Sequence, residues 1–221
     1  MTPGDDGVTA GDEGLEEQVS GWTAPGTAPL VPEVSLLLAD DIHRTWSRTD
    51  EEAPPFWAFA WAGGQALARY VLDRPEVVVG KRVLDLASGS GIVGIAAARA
   101  GAAAVVMSDH DARARIAARR NAERNGVVAE VVGDLVGDED GPALDVDVIL
   151  AGDVFYEQPM ARLMLDFLDG ATGVGIDVLV GDPGREYLPR RRVEALAVYD
   201  VPDTTDLEGR SITPTTVHRL R

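Results

Sequence analysis

A glycine-rich turn preceded by an aspartate is the first feature of the sequence that indicates chemistry. Residues 83–94, VLDLASGSGIVG, contain the spacing G-x-G-x-x-G from Gly89 onward, which is typical of turns that bind dinucleotides. In such a turn the helix N-terminus holds a pyrophosphate, and a carboxylate beside that anion is unfavourable. Asp85 stands just upstream, and its charge suits a ligand with a cationic amino group and a sulfonium, such as S-adenosylmethionine. The turn therefore favours S-adenosylmethionine and leaves a dinucleotide as the alternative.

Three further aspartates follow apolar stretches: Asp109 after AAVVMS, Asp134 after VVAEVVG and Asp153 after DVDVILAG. A carboxylate at the end of the second strand can accept hydrogen bonds from both hydroxyls of a ribose, which predicts that role for Asp109. Asp134 is predicted to accept from the adenine amino group. Short polar residues also end strands and cap helices for purely structural reasons. Four such aspartates together with the glycine turn nevertheless favour a nucleoside site.

The elements that must position these aspartates begin at Lys81, where short apolar runs alternate with helical stretches. The runs are RVLDLA, AAVVMSD, VVAEVVGD, DVDVILAGD and IDVLVGDPG. Near-continuous Val, Ile and Leu runs joined by helices indicate a parallel sheet that is covered on both faces. The last segments, RVEALAVYDV and PTTVHRLR, have no convincing helix between them and predict an antiparallel pair. We therefore predict an α/β fold, a three-layer Rossmann-like sandwich whose mostly parallel seven-stranded sheet ends in an antiparallel terminal strand pair.

The first 80 residues differ from the rest of the chain in composition. Residues 1–43 contain nine acidic residues and no Lys or Arg, and the Gly and Pro content of residues 1–26 predicts an acidic disordered tail. Within residues 32–48, apolar residues recur at spacings near three and four, which predicts one amphipathic helix. We expect residues 27–80 to form a helical extension that packs on a cofactor-binding domain of residues 81–221.

Charge and cysteine content narrow the classes of function. The chain has 37 acidic and 20 basic residues, and its formal net charge of −17 repels the phosphates of nucleic acids and anionic lipids. No apolar run reaches the roughly 20 residues that cross a bilayer. We therefore expect a cytoplasmic protein that has neither nucleic acid nor membrane as a partner. Because cysteine is absent and the three histidines lack metal-ligand spacing, no metal site is predicted. The sequence does not indicate an oligomeric state.

Four stretches together resemble the seven-strand (class I) S-adenosylmethionine-dependent methyltransferases, in the branch that modifies protein lysines. The stretches are PPFWAFAWAGGQALARYVLD, VLDLASGSGIVGIAA, GDVFYE and VLVGDPGREYL. The glycine motif is specific for the superfamily, and the combination of W-x-G-G with D-x-F-Y is specific for the branch. Within that branch the chain most resembles the enzymes that methylate lysines of the electron transfer flavoprotein β subunit. The resemblance implies that the cofactor is S-adenosyl-L-methionine.

The resemblance also implies roles at the cofactor for residues that match family motifs. The glycine turn and Asp85 would lie against the methionine part of the cofactor, and Asp109 would bind the ribose. The W-x-G-G element, which begins at Trp61, would lie over the cofactor. Ala87 replaces the first glycine of the family's D-x-G-x-G-x-G, which is tolerable if its φ angle is negative. The predicted cofactor-binding residues are Trp61, Gly63, Gly64, Asp85, Ala87, Gly89, Gly91, Asp109, Asp134 and Asp153.

Asp153 and Tyr156 match the family motif that lines the acceptor channel, and they are the predicted catalytic residues. A lysine amine has a pKa near 10.4 and must lose a proton before it accepts a methyl group. Asp153 would attract and orient the ammonium, and Tyr156 would favour the neutral amine by desolvation. We predict methyl transfer to a protein lysine, with the electron transfer flavoprotein β subunit as the candidate substrate. The alternatives are methylation of a small molecule or of another protein on the same scaffold and, less favoured, an NAD-dependent oxidoreductase.

Overall fold

The structure is a computed structural model that describes residues 10–48, 54–136, 145–202 and 211–221. The helices within these ranges are α1 (Ala10–Trp22), α2 (Ile42–Trp46), α3 (Ala62–Asp73), α4 (Ile92–Arg99), α5 (Ala112–Arg124) and α6 (Met160–Gly173). The strands are β1 (Ala24–Ala28), β2 (Val31–Leu38), β3 (Arg82–Leu86), β4 (Ala104–Ser108), β5 (Glu130–Val132), β6 (Val148–Gly152), β7 (Asp177–Asp182), β8 (Val193–Pro202) and β9 (Ile212–Leu220). None of the helices in the described ranges is long and apolar enough to span a membrane.

A seven-stranded sheet forms the centre of the molecule, with the strand order β5-β4-β3-β6-β7-β9-β8. The first five strands of this order are parallel, and β9 runs antiparallel to both β7 and β8. The predicted α/β fold and its antiparallel terminal strand pair are therefore confirmed. The carboxyl ends of β4, β3, β6 and β7 lie side by side along one edge of the sheet, which is where open α/β folds bind ligands.

Two helix layers cover the parallel strands. Val83 of β3 belongs to the apolar cluster that includes residues of α3, α4 and α5, whereas Leu84 and Leu86 belong to the cluster that includes α6. Because successive side chains of a strand point to opposite faces, the central parallel strands β3, β6 and β7 are buried on both sides. This double burial explains why the strands appear in the sequence as continuous apolar runs rather than as alternating patterns.

The predicted disordered tail is wrong for residues 10–26, which form α1 and the start of β1. Val19 of α1 is fully buried in a cluster with Trp57 and Ile116. The polar face of α1 also binds α5, because Glu16 accepts a hydrogen bond from Arg120 at 2.8 Å and Gln18 accepts one from Arg113 at 2.8 Å. Both arginines belong to α5, so the partners that stabilise α1 lie about a hundred residues away in the chain. The predicted boundary at residue 26 falls inside β1.

The amphipathic helix predicted for residues 32–48 is also wrong, because most of its first half is strand β2 and only the short α2 is helical. β2 pairs with β1 on one edge. On its other edge the amides of Leu37 and Ser35 donate to the side-chain oxygens of Asn121 and Asn125, at 2.7 and 3.1 Å. These α5 side chains satisfy backbone groups that a strand edge otherwise leaves unpaired, and sequence periodicity contains no sign of them.

Candidate active site

A cavity of about 710 Å³ opens at the carboxyl edge of the parallel strands. Residues that follow β3 and β4 line one part of it, which we call the Asp109 end. Residues that follow β6 and β7 line the other part, which we call the Asp153 end. The four aromatic residues of the wall are Phe56, Trp57, Trp61 and Tyr156.

The Asp109 end is organised by backbone amides around one carboxylate. The amide of Gly89 donates to Oδ2 of Asp109 and the amide of Asp111 donates to Oδ1, both at 2.9 Å. Asp109 is 8% exposed and lines the cavity, and burial raises the pKa of its carboxyl above the ordinary value. Gly89 has a φ of 51°, a left-handed conformation that glycine adopts without strain, and it also lines the cavity. The structure therefore brings these two predicted residues together at the ligand-binding edge.

Asp85 supports the glycine turn from behind. Its carboxylate accepts a hydrogen bond at 2.7 Å from the amide of Gly94, a residue of α4, and only 1% of its surface is exposed. Burial raises the pKa of Asp85 well above its ordinary value. Of the described residues, Asp85 is not among those that line the cavity. The structure thus places the carboxylate at the first turn of α4, whereas the sequence predicted contact with the methionine part of the cofactor.

Ala87 lines the cavity, but it does not have the negative φ angle under which alanine is tolerable at this position. Its φ angle is 53°, in the left-handed region, whereas the sequence-based expectation was a negative φ. A Cβ atom in this conformation costs about 1 kcal/mol or more, because it approaches the following carbonyl oxygen. The turn therefore keeps the geometry that suits glycine although alanine occupies the position.

The glycines of W-x-G-G and of the α4 N-terminus allow close packing and do not line the cavity. A Cβ added to Gly63 would overlap the carbonyl oxygen of Gly181 and the carboxylate of Asp153. One added to Gly64 would lie 3.5 Å from a methyl group of Ile92, an ordinary contact. Gly91 begins α4 with a φ of 77°. Gly63 lets α3 pack directly on the strand ends. Contact of these three glycines with the cofactor stays a prediction.

Asp134 lies outside the cavity wall in the part of the chain that the structure describes. It is exposed, and its Oδ1 accepts a hydrogen bond at 2.9 Å from the amide of Val136, two residues later. This contact is the local turn that aspartates commonly form. The contact of Asp134 with an adenine amino group stays a prediction.

The Asp153 end joins three segments of the chain through one buried carboxylate. Oδ2 of Asp153 accepts hydrogen bonds from the amide of Gly63 and, at 3.3 Å, from the amide of Gly64 at the N-terminus of α3. Oδ1 accepts from Nε and Nη2 of Arg185 at 3.1 and 2.9 Å. Asp153 itself is 8% exposed, and burial raises its pKa to about 6 against the opposing charge of Arg185. Its φ of 55° turns the chain sharply after β6.

Tyr156 and two further aromatic residues, Phe56 and Trp61, form an apolar wall beside Asp153. The rings of Phe56 and Tyr156 lie 5.3 Å apart, and those of Phe56 and Trp61 lie 5.6 Å apart. The indole N–H of Trp61 donates to the carbonyl oxygen of Phe56 at 2.8 Å, which fixes the ring at the start of α3. Burial raises the pKa of Tyr156 to about 12, so its phenol is neutral at ordinary pH. The structure brings Trp61, Asp153 and Tyr156 together as predicted.

Two residues of this site were not predicted from the sequence. Arg185 lies in the GDPGR stretch, which indicates only a turn, and nothing in it identifies Asp153 as the partner. Trp57 stacks on Trp22 of α1 with ring centroids 6.4 Å apart, and the sequence assigned it no role at the site. It also lines the cavity, so α1 supports the cavity wall from outside. Among the described residues, no group of His, Cys, Asp and Glu side chains is arranged to hold a metal ion.

The family model for ribosomal protein L11 methyltransferase (PrmA) matches residues 65–164. The electron transfer flavoprotein beta subunit lysine methyltransferase of Danio rerio is 40% identical over 201 residues, which cover 86% of this chain and 76% of that protein. The Homo sapiens protein of the same name is 34% identical, with 85% of this chain and 74% of that protein covered. The chain belongs to the electron transfer flavoprotein β subunit lysine methyltransferase family. It is therefore an S-adenosylmethionine-dependent methyltransferase, and the dinucleotide alternative is wrong.

A solved structure of similar fold is TrmN from Thermus thermophilus, with a TM-score of 0.56 at 22% identity. The superposition covers 78% of this methyltransferase and 55% of TrmN. At this identity the likeness concerns the fold alone. It agrees with the Rossmann-like architecture of the seven-stranded sheet.

The wall of the Asp109 end fits S-adenosylmethionine, the cofactor of the methyltransferase. Each oxygen of Asp109 accepts one amide hydrogen bond and has a further lone pair, as the two hydroxyls of a ribose require. Gly89 presents backbone without a Cβ. The indole N–H of Trp57 is buried and has no acceptor among the described residues, so it is an unused donor in the same wall.

Proposed function

We propose that this methyltransferase modifies a lysine side chain of the electron transfer flavoprotein β subunit. The observation that carries the proposal is the extent of the similarity to proteins of that name. It spans 86% of the chain in the case of the Danio rerio relative. The ribosomal protein L11 methyltransferase model stops at residue 164 and so does not include β7 or Arg185. The likeness to the flavoprotein enzymes therefore extends over both ends of the cavity, whereas the other likeness lacks part of the Asp153 end.

We assign the cofactor to the Asp109 end. Asp109 would hold the ribose, Gly89 and Ala87 would lie against the cofactor through their backbone, and Trp61 would close the cavity over it. Asp85 and Gly91 would support this end from behind. When bound, S-adenosylmethionine supplies an activated methyl group, whose bond to sulfur breaks with its electron pair left on sulfur as the new nitrogen–carbon bond forms.

The Asp153 end is suited to deliver an uncharged amine. A protonated amine has no lone pair to donate, so the acceptor lysine must release its proton before transfer. The aromatic wall formed by Phe56 and Tyr156 desolvates whatever enters, which disfavours the charged form of a lysine. Asp153 lies beside this wall and would take part in orienting the incoming side chain. Tyr156 would contact the methylene stem, because it lines the cavity and 36% of its surface is exposed.

The remaining expectations about the chain form part of the same proposal. A net charge of −17 favours a protein acceptor rich in basic residues over nucleic acid or an anionic membrane. The absence of cysteine from the sequence agrees with a cytoplasmic location. We also retain the division between an N-terminal extension up to residue 80 and a catalytic domain from residue 81, with the extension built from α1, a hairpin and helices.

A labelling experiment tests the proposed acceptor directly. The purified full-length chain is incubated with radiolabelled S-adenosylmethionine and recombinant electron transfer flavoprotein β subunit, and lysine methylation is located by mass spectrometry. We expect label on one or a few lysines of the subunit. The matched control is the same subunit with its lysines acetylated chemically, which should remain unlabelled because an amide nitrogen has no lone pair available for methyl transfer.

Two parallel reactions separate the alternatives. Ribosomal protein L11 replaces the flavoprotein subunit in one reaction, and a small-molecule extract replaces it in the other. Label confined to either of these acceptors would contradict the proposal and identify the alternative that holds.

A further inference from the structure

The carboxylate of Asp153 has no hydrogen-bonding capacity left for an acceptor ammonium. Its two oxygens accept four hydrogen bonds, two from Arg185 and two from the amides of Gly63 and Gly64. Two carboxylate oxygens offer about four lone-pair positions in total. A lysine ammonium that enters the cavity therefore meets a carboxylate whose positions are already occupied, with a guanidinium in the same wall.

The turn after β7 is built to hold Arg185 in this place. Oδ1 of Asp182, which is buried at the end of β7, accepts hydrogen bonds from the amides of Gly184 and Arg185 at 2.6 and 2.7 Å. Gly184 has a φ of 95°, which reverses the chain direction. Arg190 donates to the carbonyl oxygen of Gly184 at 3.1 Å and braces the turn from the exposed side. The hydrogen-bonded backbone of this turn thus holds the guanidinium of Arg185 beside Asp153.

We propose that Arg185 is a positioning residue that keeps Asp153 within an ion pair, so that the acceptor lysine is guided to the cavity but is not held there as an ammonium. The proposal rests on the proposed lysine acceptor. A free carboxylate beside the acceptor would stabilise its protonated form and so oppose transfer. A carboxylate already neutralised by a guanidinium does not, and the nearby positive charge disfavours a second cation. Arg185 therefore acts on the acceptor through Asp153.

Removing Arg185 should change kcat and KM in different ways. In Arg185→Gln the carboxylate retains the amides of Gly63 and Gly64 but has two positions free for the acceptor ammonium. The acceptor should then bind at least as well and react more slowly. A turn that has merely lost rigidity would instead raise KM, or would lower kcat in any variant that disturbs the same backbone.

Steady-state kinetics of the full-length chain with the flavoprotein β subunit test this inference. We expect Arg185→Gln to lower kcat about tenfold or more, the effect of one charged hydrogen-bonding partner, with KM for the protein acceptor unchanged or lower. Arg185→Lys, which retains the charge, should recover most of the kcat. Arg190→Gln is the matched control because it weakens the turn without removing a partner of Asp153. An unchanged kcat in Arg185→Gln, a raised KM, or an equal loss in Arg190→Gln would overturn the inference.

A second readout does not depend on turnover. Carbon-13 NMR of the Asp153 carboxyl in the full-length chain follows its titration in the presence of its other titratable neighbours, Asp182 and Tyr156. The pKa of Asp153 should rise in Arg185→Gln, and an unchanged pKa would show that the ion pair does not form in solution. If the wild-type chain leaves the flavoprotein subunit unlabelled, the proposed function fails, and this titration still decides whether Arg185 controls Asp153.

Discussion

The two ends of the cavity each contain a buried aspartate, but different parts of the chain hold the two carboxylates. At the Asp109 end, both oxygens bind backbone amides from the adjacent turns, Gly89 and Asp111. At the Asp153 end, the oxygens bind an arginine and the N-terminus of a helix about ninety residues upstream. The first arrangement depends on local turns of neighbouring strands, and the second depends on tertiary packing of three distant segments.

This difference separates the two tasks of a methyltransferase, which are to bind the cofactor and to bind the methyl acceptor. A backbone cradle around Asp109 can be shared by enzymes with different acceptors, because it needs only the glycine turn and the strand end. The ion pair of Asp153 with Arg185 depends on the turn after β7, which lies beyond the matched range of the ribosomal protein L11 methyltransferase model. We infer that acceptor handling is determined at the Asp153 end, and substitutions at each end should therefore have different consequences.

Gly63→Ala is expected to lower stability and activity more than any other substitution considered, because it disrupts the packing of the Asp153 end. The added Cβ would overlap a backbone oxygen of Gly181 and the carboxylate of Asp153, so α3 must move away from the strand ends. We expect a loss of about 3 kcal/mol in the free energy of unfolding, together with loss of methyl transfer. Urea denaturation followed by circular dichroism measures the first quantity.

Gly64→Ala is the matched control for that substitution. Its Cβ would lie at ordinary contact distance from Ile92, and alanine favours a helix by about 1 kcal/mol relative to glycine. The variant should therefore be as stable as the wild type or slightly more stable. Equal destabilisation by the two alanines would show that the close approach of α3 at Gly63 is not what the Asp153 end requires.

A second, smaller effect is expected in the pH dependence of stability. The pKa of Asp153 is raised from 3.8 to about 6 in the folded protein, so the folded state holds a proton that the unfolded state has already lost between these values. The stabilising contribution is fully present below about pH 4 and is lost as the pH rises through about 6. From pH 4 to 7 the wild type should lose about 2 kcal/mol relative to Asp153→Asn, which has no carboxyl to titrate.

The comparison with Asp153→Asn isolates the contribution of the Asp153 carboxyl to the pH dependence of stability. Burial also raises the pKa of Asp85, Asp109 and Asp182, but these carboxyls are present in both proteins, so their effects largely cancel in the difference. Urea midpoints at several pH values provide the measurement. A difference that stays constant from pH 4 to 7, or that changes in the opposite direction, would contradict the buried environment described for Asp153.

The smallest effect is expected from Ala87→Gly at the Asp109 end. Glycine relieves the left-handed strain at a φ of 53°, and part of the gain is lost to the greater freedom of glycine in the unfolded chain. We expect a net stabilisation of about 0.5 kcal/mol, seen as a small rise in Tm. A clear fall in Tm would mean that the methyl group of Ala87 packs more favourably than its backbone strain costs.

The sequence predicts those parts of the molecule that depend on neighbouring residues. Continuous apolar runs identify the parallel strands, and the glycine turn with Asp109 marks one end of the cavity because both lie at strand ends within a short stretch. The Asp153–Tyr156 motif was located through resemblance to a family. The architecture and the position of the cavity therefore follow from local patterns together with the general rule that ligands bind at the carboxyl edge.

The errors concern residues whose partners lie far away in the chain. The acidic segment near Glu16 folds as a helix because Arg120 of α5 pairs with Glu16 and Arg113 of α5 donates a hydrogen bond to Gln18. β2 is a strand because β1 and the asparagines of α5 complete its hydrogen bonds. Arg185 could be placed in a turn but not beside Asp153. In each case the physical cause is a tertiary contact that composition and periodicity do not contain.

Calorimetric titration with S-adenosylhomocysteine tests most directly whether the cofactor binds at the Asp109 end of the cavity and the acceptor at the Asp153 end. Asp109→Ala should weaken binding about tenfold or more, because a charged acceptor of hydrogen bonds is lost from the Asp109 end. Arg185→Gln should bind within about threefold of the wild type, a difference below 1 kcal/mol. Equal weakening in the two variants, or normal binding by Asp109→Ala, would contradict the assignment of the cofactor to the Asp109 end.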